Sequence, residues 1–378
     1  MGHIRYLILF ILFSFVTGCV TAEHRTLPAS KEEIYSFPSY TVRPPQGVEW
    51  RFLEKNYNLQ RLTFLHKDYK SVLFFWIMPV LMDVTGEDRE ESIVDYFQKK
   101  ELEKFKISPD VLLTDKSITR SNVIINDRTF NMITIDYEME KKDYAVTIYY
   151  YVAEKADVLY SIGVYKPLFF NRDRTGWEDD LRKGVEGIIA DMAFLSPGQE
   201  DIQELRVSYA HSDFVESAKD KYLKKQADKV RNKFDIAVRE ANKWIEIRQD
   251  SYRAYEYLGI LASYNSKFEH YGDGFDMEKT EKHLLRSLEI RPYYKSARLN
   301  LAKLYEHTGR KDDAIKAYEA AVKLSPNDED VYRKLGQLYE ELGQRDKARE
   351  YYEKAIRYWS SGFATRDDLK KKLETWNK

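Results

Sequence analysis

Seven residue pairs in the C-terminal part of the chain stand at one constant offset. Leu301 and Leu335, Ala302 and Gly336, Tyr305 and Tyr339, Gly309 and Gly343, Ala314 and Ala348, Tyr318 and Tyr352, and Ala321 and Ala355 each lie 34 residues apart. No other feature restricts the fold as strongly. A fixed offset means one structural unit used repeatedly, and each unit can bury its apolar face only on a neighbour. Small residues at 302, 314, 321, 336, 348 and 355 let paired helices approach closely, and the tyrosines at 305, 318, 339 and 352 fill the wider gaps. Gly309 and Gly343 fall where a first helix must stop in the left-handed conformation. Pro326-Asn327-Asp328 breaks the chain between units and starts the next helix.

The segments "SARLNLAKLYEHTGRKDDAIKAYEAAVKLSP" and "DVYRKLGQLYEELGQRDKAREYYEKAIRYWS" resemble two tetratricopeptide (TPR) repeats, in period and in residue type. Upstream, "AYEYLGILASY" and "KTEKHLLRSLEIRP" read as a third repeat, with Leu258, Gly259, Leu284 and Ser287 at matching positions. Its two halves stand nine residues too far apart because "FEHYGDGFD" lengthens the turn. Before it, "KYLKKQADKVRNKFDIAVREANKWIEI" reads as a degenerate fourth repeat carrying Ala237, Ala241 and Trp244. "RDDLKKKLETWNK" is the polar terminal helix that solubilises the open end. Ser360 replaces the terminal proline, and Arg298 stands where the family often has an aromatic residue. The expectation is an all-α TPR solenoid over residues 205–378.

The resemblance also implies a site. First helices of such repeats line a concave groove that takes another protein. Carried over residue by residue, the groove displays Asn300, Lys303, His307, Lys334, Gln337 and Glu341. Asn300 and Lys334 occupy positions that some members use to clamp a C-terminal carboxylate, whereas Leu299 and Glu256 stand where such a clamp prefers basic or amide groups. For any one of these residues a solvated face is the plainer reading. Lys303 and Lys334 are expected to lie near one another with no acid between them, open to a partner's acid or carboxyl terminus.

The N-terminus answers a different question. A short basic start precedes the apolar residues 6–16, small residues stand at 17 and 18, and Cys19, the single cysteine, follows. This is an export signal; the run falls short of the roughly 20 residues that span a bilayer. Val16-Thr17-Gly18-Cys19 resembles the lipobox of bacterial lipoproteins. That resemblance implies cleavage after residue 18 and lipid (palmitate-type) attachment at Cys19, with two acyl chains sufficing for stable anchoring. Val20 and Thr21 follow, with no aspartate, which by the sorting resemblance implies the outer membrane, facing the periplasm. One cysteine leaves no internal disulfide and no multi-cysteine zinc site. Residues 19–47, polar and carrying Pro28, Pro38, Pro44 and Pro45, read as a tether.

From 48 to 197 the apolar period is mostly two. "SVLFFWIMP" is apolar on both faces and reads as a central strand. In "NMITIDYEM", Ile133, Ile135, Tyr137 and Met139 point one way. "YAVTIYYYV" and "VLYSIGVY" continue the strands, with turns at Asn126-Asp127 and Lys155-Ala156-Asp157. "ESIVDYFQKKELEKF" and "WEDDLRKGVEGIIADMAFL" are helical; in the second, Trp177, Leu181, Val185, Ile188, Ile189, Met192 and Leu195 make one stripe. The expectation is an α+β domain with an antiparallel sheet. The order of elements resembles PsbP/Mog1/DcrB-like domains, which implies a docking module. "LSPGQEDIQELRVSYAHSDF" is the expected linker to the repeats.

Charge and motifs exclude much of the rest. Lys plus Arg number 61 against 62 Asp plus Glu, a net charge of −1, so no nucleic acid is expected as partner. No phosphate loop, metalloprotease helix, serine elbow or dinucleotide glycine run is present, so neither an enzyme nor a cofactor is expected. "HYGDGFDMEKTE" gathers His270, Asp273, Asp276, Glu278 and Glu281 without an EF-hand ladder, and reads as a solvated insertion, with no metal. His66, His211, His283 and His307 are scattered. The combined expectation is a lipid-anchored envelope protein that scaffolds a protein partner. The alternative is a lipoprotein whose α+β domain binds a small ligand while the repeats relay or dimerise.

Overall fold

The computed structural model describes residues 27–28, 34–43, 50–56, 61–66, 72–79, 92, 94–98, 111–112, 118–139, 144–155, 158–169, 177–220, 226–358 and 363–376. The export signal and Cys19 lie outside the described residues. The chain divides into two compact units, up to Ser212 and from Asp213 onward.

The first unit is antiparallel. Strands β1 (Leu27–Pro28), β4 (Trp50–Asn56), β5 (Arg61–His66), β6 (Val72–Pro79), β7 (Val111–Leu112), β8 (Ile118–Ile125), β9 (Arg128–Met139), β10 (Tyr144–Lys155) and β11 (Val158–Phe169) make one sheet in the order β1-β4-β5-β6-β11-β10-β9-β7, with β8 also on β9. The strand read as central, β6, does sit inside the sheet, between β5 and β11, and Leu73, Phe74 and Phe75 are buried on its two faces. Asn126 and Asp127 turn the β8–β9 hairpin with both φ angles positive, at 49° and 61°. Of the other expected turn, Ala156 and Asp157 lie outside the described residues.

Helix α1 (Trp177–Ala190) lays Val185 and Ile189 on the sheet, with Met192 just beyond it. Leu195, the last residue of the expected stripe, is 36% exposed; its backbone ties the chain instead, donating N–H to Ser39 O and accepting from Tyr160 OH. The side chains of Trp177 and Leu181 are outside the described residues. Of the earlier helical pattern, residues 94–98 are helical, and Phe97 meets the ring of Tyr150 edge-on at 5.3 Å.

One sequence expectation is corrected here. Residues 34–43, read as part of a tether, form β2 (Tyr35–Ser36) and β3 (Tyr40–Val42), which join β12 (Ala193–Phe194) in a second sheet. Tyr35, Phe37, Tyr40 and Val42 are buried in the core with Phe64 and Phe75. The prolines mark turns, yet the four apolar residues between them decide the structure: each buries enough surface for roughly 2 kcal/mol.

The second unit is built of helices joined by short turns, with one longer insertion at residues 263–276. It begins within α2 (Gln199–Lys219) and continues with α3 (Ala227–Ile247), α4 (Tyr252–Ala262), α5 (Met277–Ile290), α6 (Lys295–His307), α7 (Lys311–Leu324), α8 (Glu329–Glu341), α9 (Arg345–Arg357) and α10 (Phe363–Thr375). The expected linker "LSPGQEDIQELRVSYAHSDF" is therefore extended only at 195–198 and helical from Gln199. Helix pairs α6/α7 and α8/α9 are the two units read from the offset, and α4/α5 is the third, with its insertion. Ala302, Ala314, Ala321, Ala348 and Ala355 are fully buried at the helix contacts. Gly309 and Gly343 end α6 and α8 with φ of 74° and 72°, and Asp328 caps α8 by accepting from Val331 N–H at 3.2 Å. In α3, Ala237, Ala241 and Trp244 are buried as the degenerate unit requires.

Candidate partner-binding face of the repeat units

The first helices α4, α6 and α8 carry the residues that the sequence assigns to a groove. A network of carboxylates runs between these helices, and it sorts the six candidates into two groups.

Glu256 on α4 is 5% exposed. Its carboxylate accepts from Tyr294 OH at 2.5 Å, from Ser296 Oγ and from Asn300 Nδ2 at 3.0 Å, all in the next unit. Burial raises its pKa above the ordinary glutamate value, and it outweighs the opposing pull of those three donors and the Arg253 charge. Asn300 is thereby committed to an internal carboxylate.

Glu306 on α6 repeats the device. It accepts from Tyr318 OH at 2.9 Å within its own unit and from Lys334 Nζ at 2.6 Å in the next. Thirty-four residues on, Glu340 accepts from Tyr352 OH at 2.6 Å and from Lys372 Nζ at 2.5 Å. Lys372 lies on α10, so the terminal helix supplies to the last unit the lysine that the next unit would supply. Leu369 and Leu373 add the apolar contact of that cap.

The expectation that Lys303 and Lys334 face one another without an acid between them is therefore corrected. Lys334 is ion-paired to Glu306. Glu341 is paired as well, with Lys311 Nζ at 2.8 Å. Lys303 is exposed and Gln337 half-buried, and neither makes a hydrogen bond or ion pair among the described residues. His307 is exposed at its edge, and its ring stacks on Tyr271 at 4.3 Å.

Tyr271 comes from the insertion between α4 and α5, which the sequence reads as solvated. The segment is built around Asn265, 7% exposed. Its Oδ1 accepts from Lys267 N–H and Glu269 N–H, both at 2.9 Å, and its Nδ2 donates to Glu269 Oε2 at 3.1 Å and to Asp273 O at 3.2 Å. Phe268 and Tyr271 take positive φ to close the loop. His270 stacks between Tyr264 at 4.8 Å and Tyr271 at 4.2 Å, and Tyr271 OH donates to Asn300 O at 3.3 Å. The acids there serve the fold: Asp276 caps α5 through Lys279 N–H, and Glu281 accepts from Arg310 and from Tyr305 OH. Among the described residues, no three His, Cys, Asp or Glu side chains are grouped as a metal site.

Burial between the two tyrosines, with the charges of Lys303, His307 and Lys219 adding to it, lowers the His270 pKa from 6.5 to about 4. The unfolded chain protonates this imidazole below about pH 6.5, whereas the folded chain does so only near pH 4. The unfolded state thus binds more protons in that window, and stability falls as pH drops through it. Urea unfolding at pH 7.5 and 5 should show a larger loss for the wild type than for His270→Phe; equal losses would remove His270 from the account.

Residues 307–343 match the TPR repeat family and residues 330–358 the tetratricopeptide repeat family. TPR repeats thus occupy the C-terminal region, after an α+β region of antiparallel sheets and helices. Among solved structures, the chain is similar to a MamA protein at 20% identity over 39% of this chain and 91% of that one, with a TM-score of 0.28. A second MamA structure is 21% identical over 49% of this chain and 96% of that one, with a TM-score of 0.30. No curated protein matches the chain.

Proposed function

We propose that this chain is a lipid-anchored adaptor of the bacterial envelope that holds a protein partner on its TPR units and catalyses no reaction. The observation that carries the reading is the tandem array α4–α9, in which α6–α9 repeat with a 34-residue period and residues 307–358 match repeat families typical of protein-binding scaffolds. Lys303 and Gln337 stand uncommitted on its first helices and are its contact residues. The lipobox-like residues 16–19 support attachment at Cys19, and the residues that follow favour the outer membrane, facing the periplasm. The first unit, whose order of elements resembles PsbP/Mog1/DcrB-like domains, is a further docking module near the membrane.

Two measurements test the reading. Cells producing Cys19→Ser and fed a fatty-acid probe should leave that protein unlabelled and unprocessed, while the wild type is labelled; equal labelling would end the anchor. Wild-type protein recovered from an envelope extract should bring a stoichiometric protein partner. Recovery alone, across gentle detergents, would end the adaptor reading.

A further inference from the structure

The corner where the insertion meets α6 gathers basic side chains from three elements. Lys303 and His307 are four residues apart on α6, His270 belongs to the insertion, and Lys219 ends α2. All four reach solvent, His270 by its edge, with a tyrosine ring on either side of it. The ring stack His270–Tyr271–His307, with centroids 4.2 and 4.3 Å apart, fixes the two imidazoles relative to one another. Phe214 of α2 packs edge-on against Tyr264 at 4.8 Å and Phe268 at 5.9 Å, which brings the end of α2 to the same insertion.

The nearby acids are already used. Glu306 holds Tyr318 and Lys334, and Glu269 holds Asn265. None of Lys219, His270, Lys303 and His307 has a hydrogen bond or ion pair with an acid among the described residues. The cations acting on His270 have no anion among them, which agrees with its lowered pKa.

We infer that this corner is the docking point for an acidic segment of the partner. The inference rests on the adaptor reading above and gives the partner's chemistry. Residues one helical turn apart stand about 5–6 Å from one another, so Lys303 and His307 present two basic side chains close together on α6. Lys219 and Lys303 bring charge from two elements, and the His270 and His307 rings add N–H donors beside them, which suits several weakly desolvated carboxylates in a row. Such rim charges act mainly on association rate and salt dependence.

The probe is a fluorescein-labelled octapeptide of alternating Glu and Ser, followed by anisotropy on the purified full-length chain in detergent at low salt. It should bind, and the Gln-Ser counterpart should not. Lys303→Glu should weaken binding at least tenfold, with an unchanged melt, while Lys323→Glu on α7 leaves it within twofold. The inference is overturned if the wild type does not bind the peptide, or if Lys303→Glu binds it equally well. It is also overturned if anionic vesicles, and not the peptide, bind in a Lys303-dependent way. Capture from envelope extract separates the two readings. If the wild type captures nothing, the adaptor reading fails; if wild type and Lys303→Glu capture the same partner equally, only the acidic corner fails.

Discussion

Glu256→Ala is expected to lower the stability of the helical unit by about 3 kcal/mol, roughly 6–12 °C in Tm for a unit of this size. Two opposing effects set that figure. The mutation removes a carboxylate whose burial is incompletely offset, as its raised pKa shows, and that relief favours the mutant. It also strips Tyr294 OH, Ser296 Oγ and Asn300 Nδ2 of one shared acceptor. Each donor left unpaired costs about 1–3 kcal/mol when buried. These three are only half-buried and can turn partly to water, so the sum is well below the maximum, yet it exceeds the relief. Glu256→Gln should fall between wild type and alanine, because its carbonyl still accepts while its amide faces donors. Glu256→Ala with Asn300→Ala should cost less than the two single changes added. Urea unfolding followed by far-UV circular dichroism decides the matter; a Glu256→Ala midpoint indistinguishable from wild type would show that the network contributes nothing.

The same network shows what the sequence could and could not convey. The helix pairs were legible because packing residues recur: Leu301 and Leu335, Tyr318 and Tyr352. Glu306 and Glu340 recur at that offset too, with their tyrosines, but Lys334 has Asn300 and Asp368 at the equivalent positions, so its pairing with Glu306 left no repeat in the sequence. Glu256 carries no such mark. It lies 38 to 44 residues from its three donors, and an acid on a first helix looks solvated until the next unit covers it. The insertion failed for another reason. Its composition is that of a loop, and only the Asn265 side chain, satisfied on both ends, makes it rigid enough to set Tyr271 against His307. In the first unit, a run apolar on both faces identified β6 and the period of two identified β9, β10 and β11, but nothing local says that β6 pairs with β11, some 80 residues away. Residues 34–43 were obscured by the prolines around them, since a tether and a short buried strand share that punctuation.

Gly336→Val should be the most damaging single change in the last repeat, costing about 3 kcal/mol or more. A Cβ at 336 would lie 2.5 Å from both Cδ1 and Cε1 of Tyr352. That ring cannot swing away. It is fully buried, its hydroxyl is held by Glu340 at 2.6 Å, and Trp376 stands 6.0 Å from it. The preceding unit has Ala302 at the equivalent position, fully buried, so a methyl group there fits when the helices stand slightly wider apart. Gly336→Ala therefore sets a gain of about 1 kcal/mol in helix propensity against overpacking of about 1–3 kcal/mol, and a modest net loss results. Valine keeps little of the propensity gain and adds two more methyl groups to the clash, so overpacking wins decisively. The damage should stay local, because each repeat contacts only its neighbours. Parting α8 from α9 moves Tyr352 and Glu340, and with them the seat of Lys372, so α10 should be released first. Limited proteolysis at pH 7.5 should cut Gly336→Val near residues 345–375 while α3 to α6 remain protected. Even protection along the whole helical unit would show that the pair α8/α9 absorbs a Cβ at 336, and that its close approach is not what holds the cap in place.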